Sequence, residues 1–279
     1  MTPVKSVEIS IFHTGFNFAN TLMLYPLTDF IVAMTKKIIP DNSVDIQKLS
    51  LSEKTYSILD ERILEQPSVA LSTVRKEIIY FAKYTKKNLE RAIDLMLNKK
   101  DEDLIQDVKS HEREINTTNR VLTGYLVKIN NLSLDAKEHF EVEQVISMCS
   151  DIERIGDHCE NIAENSEQLL KESADFNQKT KEEFKYISDL VINAVDNAIN
   201  CVELRSRELI TKARYIEQQV DDVEERDKKI YTKKISNGEC TTIEGIAFLD
   251  TIGNLERIAD HANNIADYVE NELNEIYLI

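Results

Sequence analysis

Beyond residue 68 the chain alternates apolar and charged positions at steps of three and four, the spacing of amphipathic α-helices. Six helices are predicted, over residues 69–98, 102–130, 134–171, 176–204, 206–236 and 241–275. Turn-forming clusters separate them at Lys99–Asp103, Asn130–Ser133, Ser173–Asn177 and Asn237–Gly238. The third helix of each set carries a seam of small and apolar residues at alternating steps of four and three. Val145, Cys149, Ile152, Gly156, Cys159 and Ala163 form one; Phe248, Ile252, Leu255, Ala259, Ala262 and Ala266 form the other. Such heptad spacing suits antiparallel helix packing, and the small central residues let neighbouring backbones come close.

The front of the chain follows another pattern. From Ile9 to Thr28 there is no Asp, Glu, Lys or Arg, and Lys36 and Lys37 close the low-charge run. About 20 such residues can cross a bilayer as a helix, with the paired lysines on the cytoplasmic side. A core helix is a second reading, because His13, Thr14, Asn17 and Asn20 dilute the apolar run. A cleaved signal peptide is a third, though no small-residue cleavage site follows. In a membrane, His13, Asn17, Asn20 and Asp29 would have to face protein or water rather than lipid. The expected organisation is a membrane-type helix over 1–40, a linker over 41–72, and two helical repeats over 73–173 and 174–279.

The repeat is legible in letters. ERIGDHCENIAE at 153–164 and ERIADHANNIAD at 256–267 agree at eight of twelve positions, 103 residues apart. HEREIN at 111–116 aligns more weakly with IEQQVD at 216–221, setting Glu112 against Glu217 and Asn116 against Asp221. The fold class expected is all-α: two tandem three-helix bundles related by a pseudo-twofold repeat. All four prolines precede residue 68, and glycines number only 6, so long helices are favoured and a Gly-rich phosphate loop is missing.

Charge narrows the function. With 50 acidic against 34 basic residues, a net of −16, the chain repels phosphate backbones, and no nucleic-acid partner is expected. The four cysteines form no CxxC and read as buried thiols in a reducing compartment.

Beside each seam runs an acidic stripe at i, i+4 and i+8: Glu153, Asp157 and Asn161, then Glu256, Asp260 and Asn264. Stacked carboxylates repel by about 0.2–0.5 kcal/mol on an exposed helix, and more where water is scarce. Arg154 and Arg257 sit about 100° round the helix and cannot lie over the same stripe. A hard divalent or trivalent cation (Mg, Mn, Ca or Fe) is the economical partner for carboxylate and amide oxygens. Glu112, Asn116, Glu217 and Asp221 could complete the clusters, with Glu160, Glu164 and Asp267 as further candidates. A salt-bridged bundle flank is the competing account. His158 and His261, one residue past the aspartates, point elsewhere; each reads first as a helix-surface residue, with a partner behind the ligands and an occasional ligand as the other readings. Neither a Glu-x-x-His pair nor a nucleophile–base constellation emerges, so a binding and regulatory scaffold is expected rather than an enzyme.

ERIGDHCENIAE and ERIADHANNIAD resemble the paired motif of the PhoU family. The resemblance implies two three-helix bundles, metal ions held by the E/DxxxD carboxylates Glu153, Asp157, Glu256 and Asp260, and regulation of phosphate uptake at the cytoplasmic side of the membrane. FHTGFNFANTLMLYPL, from Phe12, resembles the closing membrane segment of bacterial sodium/phosphate cotransporters, and YSILDERILEQPSVAL, from Tyr56, resembles their linker. Together these imply a PhoU-like regulatory domain of a sodium-dependent phosphate symporter at the cell membrane. As the QSSS-type transport motifs are missing, the expectation is a fragment or subunit lacking the transport core. Its partners would be the remaining transporter helices or a separate membrane subunit, a second copy in a homodimer, and phosphate and sodium indirectly. The alternative is a PhoU-type negative regulator of a phosphate ABC transporter and its sensor kinase.

Overall fold

The structure, a computed structural model, describes residues 6–30, 34–35, 49–98 and 101–275. It divides into two units, residues 1–49 and 50–279. Among the described residues there are eight α-helices and no strand.

The first unit holds α1 (Ser6–Leu24). Pro26 sits in a 3-10 turn, Tyr25–Leu27, that ends the helix after 19 residues. Phe12, Phe16, Phe18 and Leu22 are exposed, and so are His13, Thr14, Asn17 and Thr21 between them. No described helix is long and apolar enough to cross a membrane. The expected transmembrane helix is therefore corrected: His13, Asn17, Asn20 and the interruption at Pro26 leave α1 too polar and too short. Lys36 and Lys37 lie outside the described residues.

The second unit opens within the expected linker, where α2 (Leu51–Ile58) starts from a reciprocal Ser50–Glu53 capping box. A 3-10 turn, Glu61–Glu65, leads into α3 (Pro67–Leu97), whose first position takes the proline that a helix start tolerates. Then come α4 (Glu102–Asn130), α5 (Ala136–Lys171), α6 (Gln178–Leu204), α7 (Arg207–Ser236) and α8 (Thr242–Glu275). Asp101, Asp135 and Asn177 cap α4, α5 and α6 by accepting from backbone N–H groups of the first turn. The six long helices begin and end within two residues of the predicted spans.

Helices α3, α4 and α5 pack as one bundle, and α6, α7 and α8 as another. Equivalent helices meet between them: α5 lies along α8, the most extensive contact in the molecule, and α3 lies against α6. That pairing of like with like is the expected pseudo-twofold. Phe81, Leu89, Ile115, Leu122 and Val145 fill the first core; Phe184, Val191, Val220, Phe248 and Ile252 fill the second. The small-residue seam works as read, since a Cβ at Gly156 would come within 2.9 Å of Ile115 Cγ2. Helix α2 has no counterpart in the second bundle and packs chiefly on α4. Thr55 donates to the buried carboxylate of Glu77, and the Tyr125 hydroxyl donates to the Asp60 carbonyl.

Candidate metal centre

In the first bundle the stripe Glu112–Asn116 of α4 faces Glu153 and Asp157 of α5. Glu112 is only 5% exposed, and its carboxylate accepts a hydrogen bond from the Asn116 amide. Burial, then the charges of Glu160, Asp157 and Glu153, push its pKa up to about 7, against a smaller downward pull from Arg113. Burial and the neighbouring Asp157 also raise Glu153, with Arg154 and Arg120 pulling the other way. Asp157 is raised by burial despite Arg154 and His261. The carbonyl oxygen of Asn116 is buried without a hydrogen-bond partner.

The second bundle repeats this with more acid. One oxygen each from Glu217, Asp221 and Asp260 lies within 4.8 Å of the others. Burial and mutual repulsion raise Glu217, Glu256 and Asp260, and Asp221 is raised by burial and by Asp222. Asp221 keeps a buried Oδ1 without a partner. Half-buried carboxylates forced together at this separation are held in an unfavourable state that a cation would reverse.

The donor set therefore fits a hard cation. It consists of carboxylate and amide oxygens, includes orphaned buried oxygens, and its acids are raised by burial and then by their own crowding.

The remaining candidates divide. Glu160 adds its charge to Glu112 and joins the first site. Asp267 is held in an ion pair by Arg214 at 2.7 Å, and Glu164 lies beside Lys109. Asn161 donates to Asn254 of the other bundle at 3.1 Å, and Asn264 is half-buried one turn past Asp260. Glu224 was missed from sequence. It is buried on α7, paired with Lys228, and its charge reaches Glu256. Its offset from Asp221, i+3 on a helical face, was the available signal.

The histidines correct the surface reading. His158 Nδ1 lies 2.9 Å from Asn254 Oδ1, and His261 Nδ1 lies 2.7 Å from Asp151 Oδ1. The two rings stack at 5.5 Å and 21°. Asp151 and Asn254 are 103 residues apart, as are the histidines, so each repeat clasps the equivalent position of the other.

The chain is thus an all-α protein of two three-helix bundles that meet through equivalent helices, each with facing acidic stripes, and with three acid oxygens gathered within 4.8 Å in the second. The PhoU domain family matches residues 78–166 and 184–269, one stretch per bundle, and the chain belongs to that family. Glu112, Glu153 and Asp157 fall in the first stretch; Glu217, Asp221, Glu256 and Asp260 fall in the second.

The chain is 26% identical to a phosphate-specific transport system accessory protein PhoU homolog 1 from Thermotoga maritima, over 45% of this chain and 53% of that protein. It therefore spans about half the length of that relative. It is 24% identical to the accessory protein PhoU homolog of Pseudomonas putida, over 79% of this chain and 83% of that one. The crystal structure of PhoU from Pseudomonas aeruginosa superposes with a TM-score of 0.70 at 21% identity, over 75% of this chain and all of that one.

These likenesses overturn the symporter reading. The matching relatives are named as accessory proteins, no transporter domain is matched, and no described helix can span a membrane. The cell-membrane localisation expected from α1 falls with it.

Proposed function

We propose that this chain is a PhoU-type regulatory protein of phosphate transport, a negative regulator that acts on a phosphate ABC transporter and its sensor kinase. The observation that carries the reading is the family match over both bundles, joined to the group of acid oxygens that Glu217, Asp221 and Asp260 bring together in the second. Relatives matching this chain bear the name of accessory proteins of a phosphate-specific transport system, and a scaffold without a nucleophile–base constellation suits that role.

Glu112, Glu153 and Asp157 would hold a cation in the first bundle; Glu217, Asp221, Glu256 and Asp260 would hold one in the second. A bound hard cation supplies positive charge that draws the two acidic helices of each bundle together. The protein's own part is to crowd the carboxylates, with Glu112 buried among them, and to couple the α5 and α8 faces through the paired histidines.

Affinity purification with the phosphate ABC transporter ATPase and a phosphate-responsive histidine kinase tests the partner assignment, with retention of both expected. Recovery of neither under cation-loaded conditions would remove the regulator reading. Elemental analysis tests the sites: replacing Asp157 and Asp260 together by Ala should lower bound metal severalfold with helicity intact. Equal metal in the two proteins would strike these residues from the ligand set.

A further inference from the structure

Helix α2 and the turn after it lie over the α3–α4 face of the first bundle. The matching α6–α7 face of the second has no counterpart of α2 among the described residues. The two family stretches begin at 78 and 184, which sets α3 against α6 at a displacement of 106. Glu112 against Glu217 sets α4 against α7 at 105. Buried positions coincide in those registers: Phe81 with Ile187, Ile115 with Val220, Leu126 with Tyr231.

The positions that α2 covers do not coincide. Tyr125, 5% exposed, corresponds to Ile230, which is 39% exposed. Glu77 corresponds to Glu183, and Lys128 to Lys233. In the first bundle all three meet the α2 segment. Thr55 donates to Glu77, the Tyr125 hydroxyl donates to the Asp60 carbonyl, and Lys128 pairs with Glu61 at 2.5 Å. In the second bundle only Glu183 is met, by Tyr231 and Lys234 of its own α7. Lys233 is exposed and enters no ion pair among the described residues.

Arg226, where the first bundle has Val121, adds a half-exposed guanidinium whose Nε donates to the buried Asp227. Arg226, Ile230 and Lys233, at i, i+4 and i+7, share one face of α7, on the flank away from Glu217 and Asp221. Exposed Tyr186 of α6 stands beside Arg226. Lys228 and Lys229 are each matched one turn back, by Glu224 and Glu225. The face therefore sets an uncovered apolar side chain between two cations, on a chain of net −16. A symmetric contact between two copies would bring cation against cation. An acidic occupant has no such penalty, and the first bundle shows its form. Residues 50–66 carry Glu53, Asp60, Glu61 and Glu65 against Lys54 and Arg62, a net of −2, with Leu59 buried beneath.

We propose that the α6–α7 face is a docking site for a short acidic amphipathic helix of a partner protein. The helix lies as α2 lies on the first bundle, with an apolar side chain on Ile230 and a carboxylate on Lys233. Docking here leaves both acidic stripes uncovered and is independent of the cation reading.

Fluorescence anisotropy with a labelled synthetic peptide of residues 50–66, titrated with the full 279-residue chain, tests the site. Saturable one-to-one binding is expected, weakened about tenfold by Ile230→Glu and about fivefold by Lys233→Glu. Both side chains are exposed, so helicity should be unchanged. Tyr80→Glu, on the exposed surface of α3, should leave the affinity as it was. A peptide carrying Glu61→Lys and Glu65→Lys, a net of +2, should bind about tenfold more weakly or worse. No saturable binding, or an affinity indifferent to Ile230 and Lys233, would overturn the docking site. If the chain alone forms a dimer in analytical ultracentrifugation that Ile230→Glu dissociates, the face belongs to a second copy and the partner-helix assignment falls.

Discussion

At the scale of single residues, Glu112 concentrates the physics of the site. Its carboxyl is held at about 7, above the ordinary 4.5, by burial and by three neighbouring acids. The folded, cation-free protein thus binds a proton that the unfolded chain releases. Glu112 contributes stability below pH 4.5, and that contribution is lost as pH climbs through about 7. The melting temperature of cation-free protein should fall over this window by differential scanning calorimetry. Glu112→Gln should flatten the fall, because the neutral amide has nothing to titrate. Added Mn2+ should raise the melting temperature above the window and have little effect below it. A profile equally steep in the Gln variant would place the titration elsewhere. Spacing alone put Glu153 with Asp157, and Glu256 with Asp260, on one helical face each, since i and i+4 share a face whatever surrounds them. It misplaced His158 and His261. A residue at i+1 lies off the stripe, and only a second helix decides whether that direction is solvent or interface.

Among the elements, close helix approach has an energetic test in two glycines. Gly156 on α5 faces Ile115 of α4 so tightly that a methyl group would fall 2.9 Å from Cγ2 and 3.2 Å from Cδ1. Gly156→Ala should destabilise by about 1–3 kcal/mol in urea unfolding, and Ile115→Val should restore part of that loss. At Gly253 on α8 an added methyl group would meet nothing within 4 Å, so Gly253→Ala should stabilise by up to about 1 kcal/mol through helix propensity. The same sign for both substitutions would refute close α4–α5 packing as the reason for Gly156. The long helices were legible because their caps and turns are local: Asp135 with Glu138, Asn177, and the break after Asn237. Helix α2 was not. Its eight residues are too short to show a period, and it is ordered by tertiary partners such as Glu77.

For the molecule as a whole, the two bundles are locked at one end by a buried acid. Glu272 of α8 is 1% exposed and accepts from Arg75 of α3 at 2.8 and 3.0 Å, and from Arg205 at 2.7 Å. Arg205 is itself the left-handed residue, φ 52°, that turns the chain from α6 into α7. Glu272→Ala leaves two half-buried guanidinium groups without their shared acid and should cost about 3–5 kcal/mol in urea unfolding. Glu272→Gln, which keeps the shape, should cost less. Equal losses would mean that packing rather than charge makes this lock.

The sequence by itself determined the helical class, the six long helices, the duplication and the acidic stripes, because each follows from periodicity within one helix or from identity between two. Only the tertiary structure decided the rest. It paired α5 with α8 and α3 with α6, turned the histidines inward, buried Glu112 and Glu272, and set α1 aside as too polar and short to span a bilayer. Those outcomes depend on which faces of distant segments meet, and that is settled by the combined burial of all the helices rather than by any one of them.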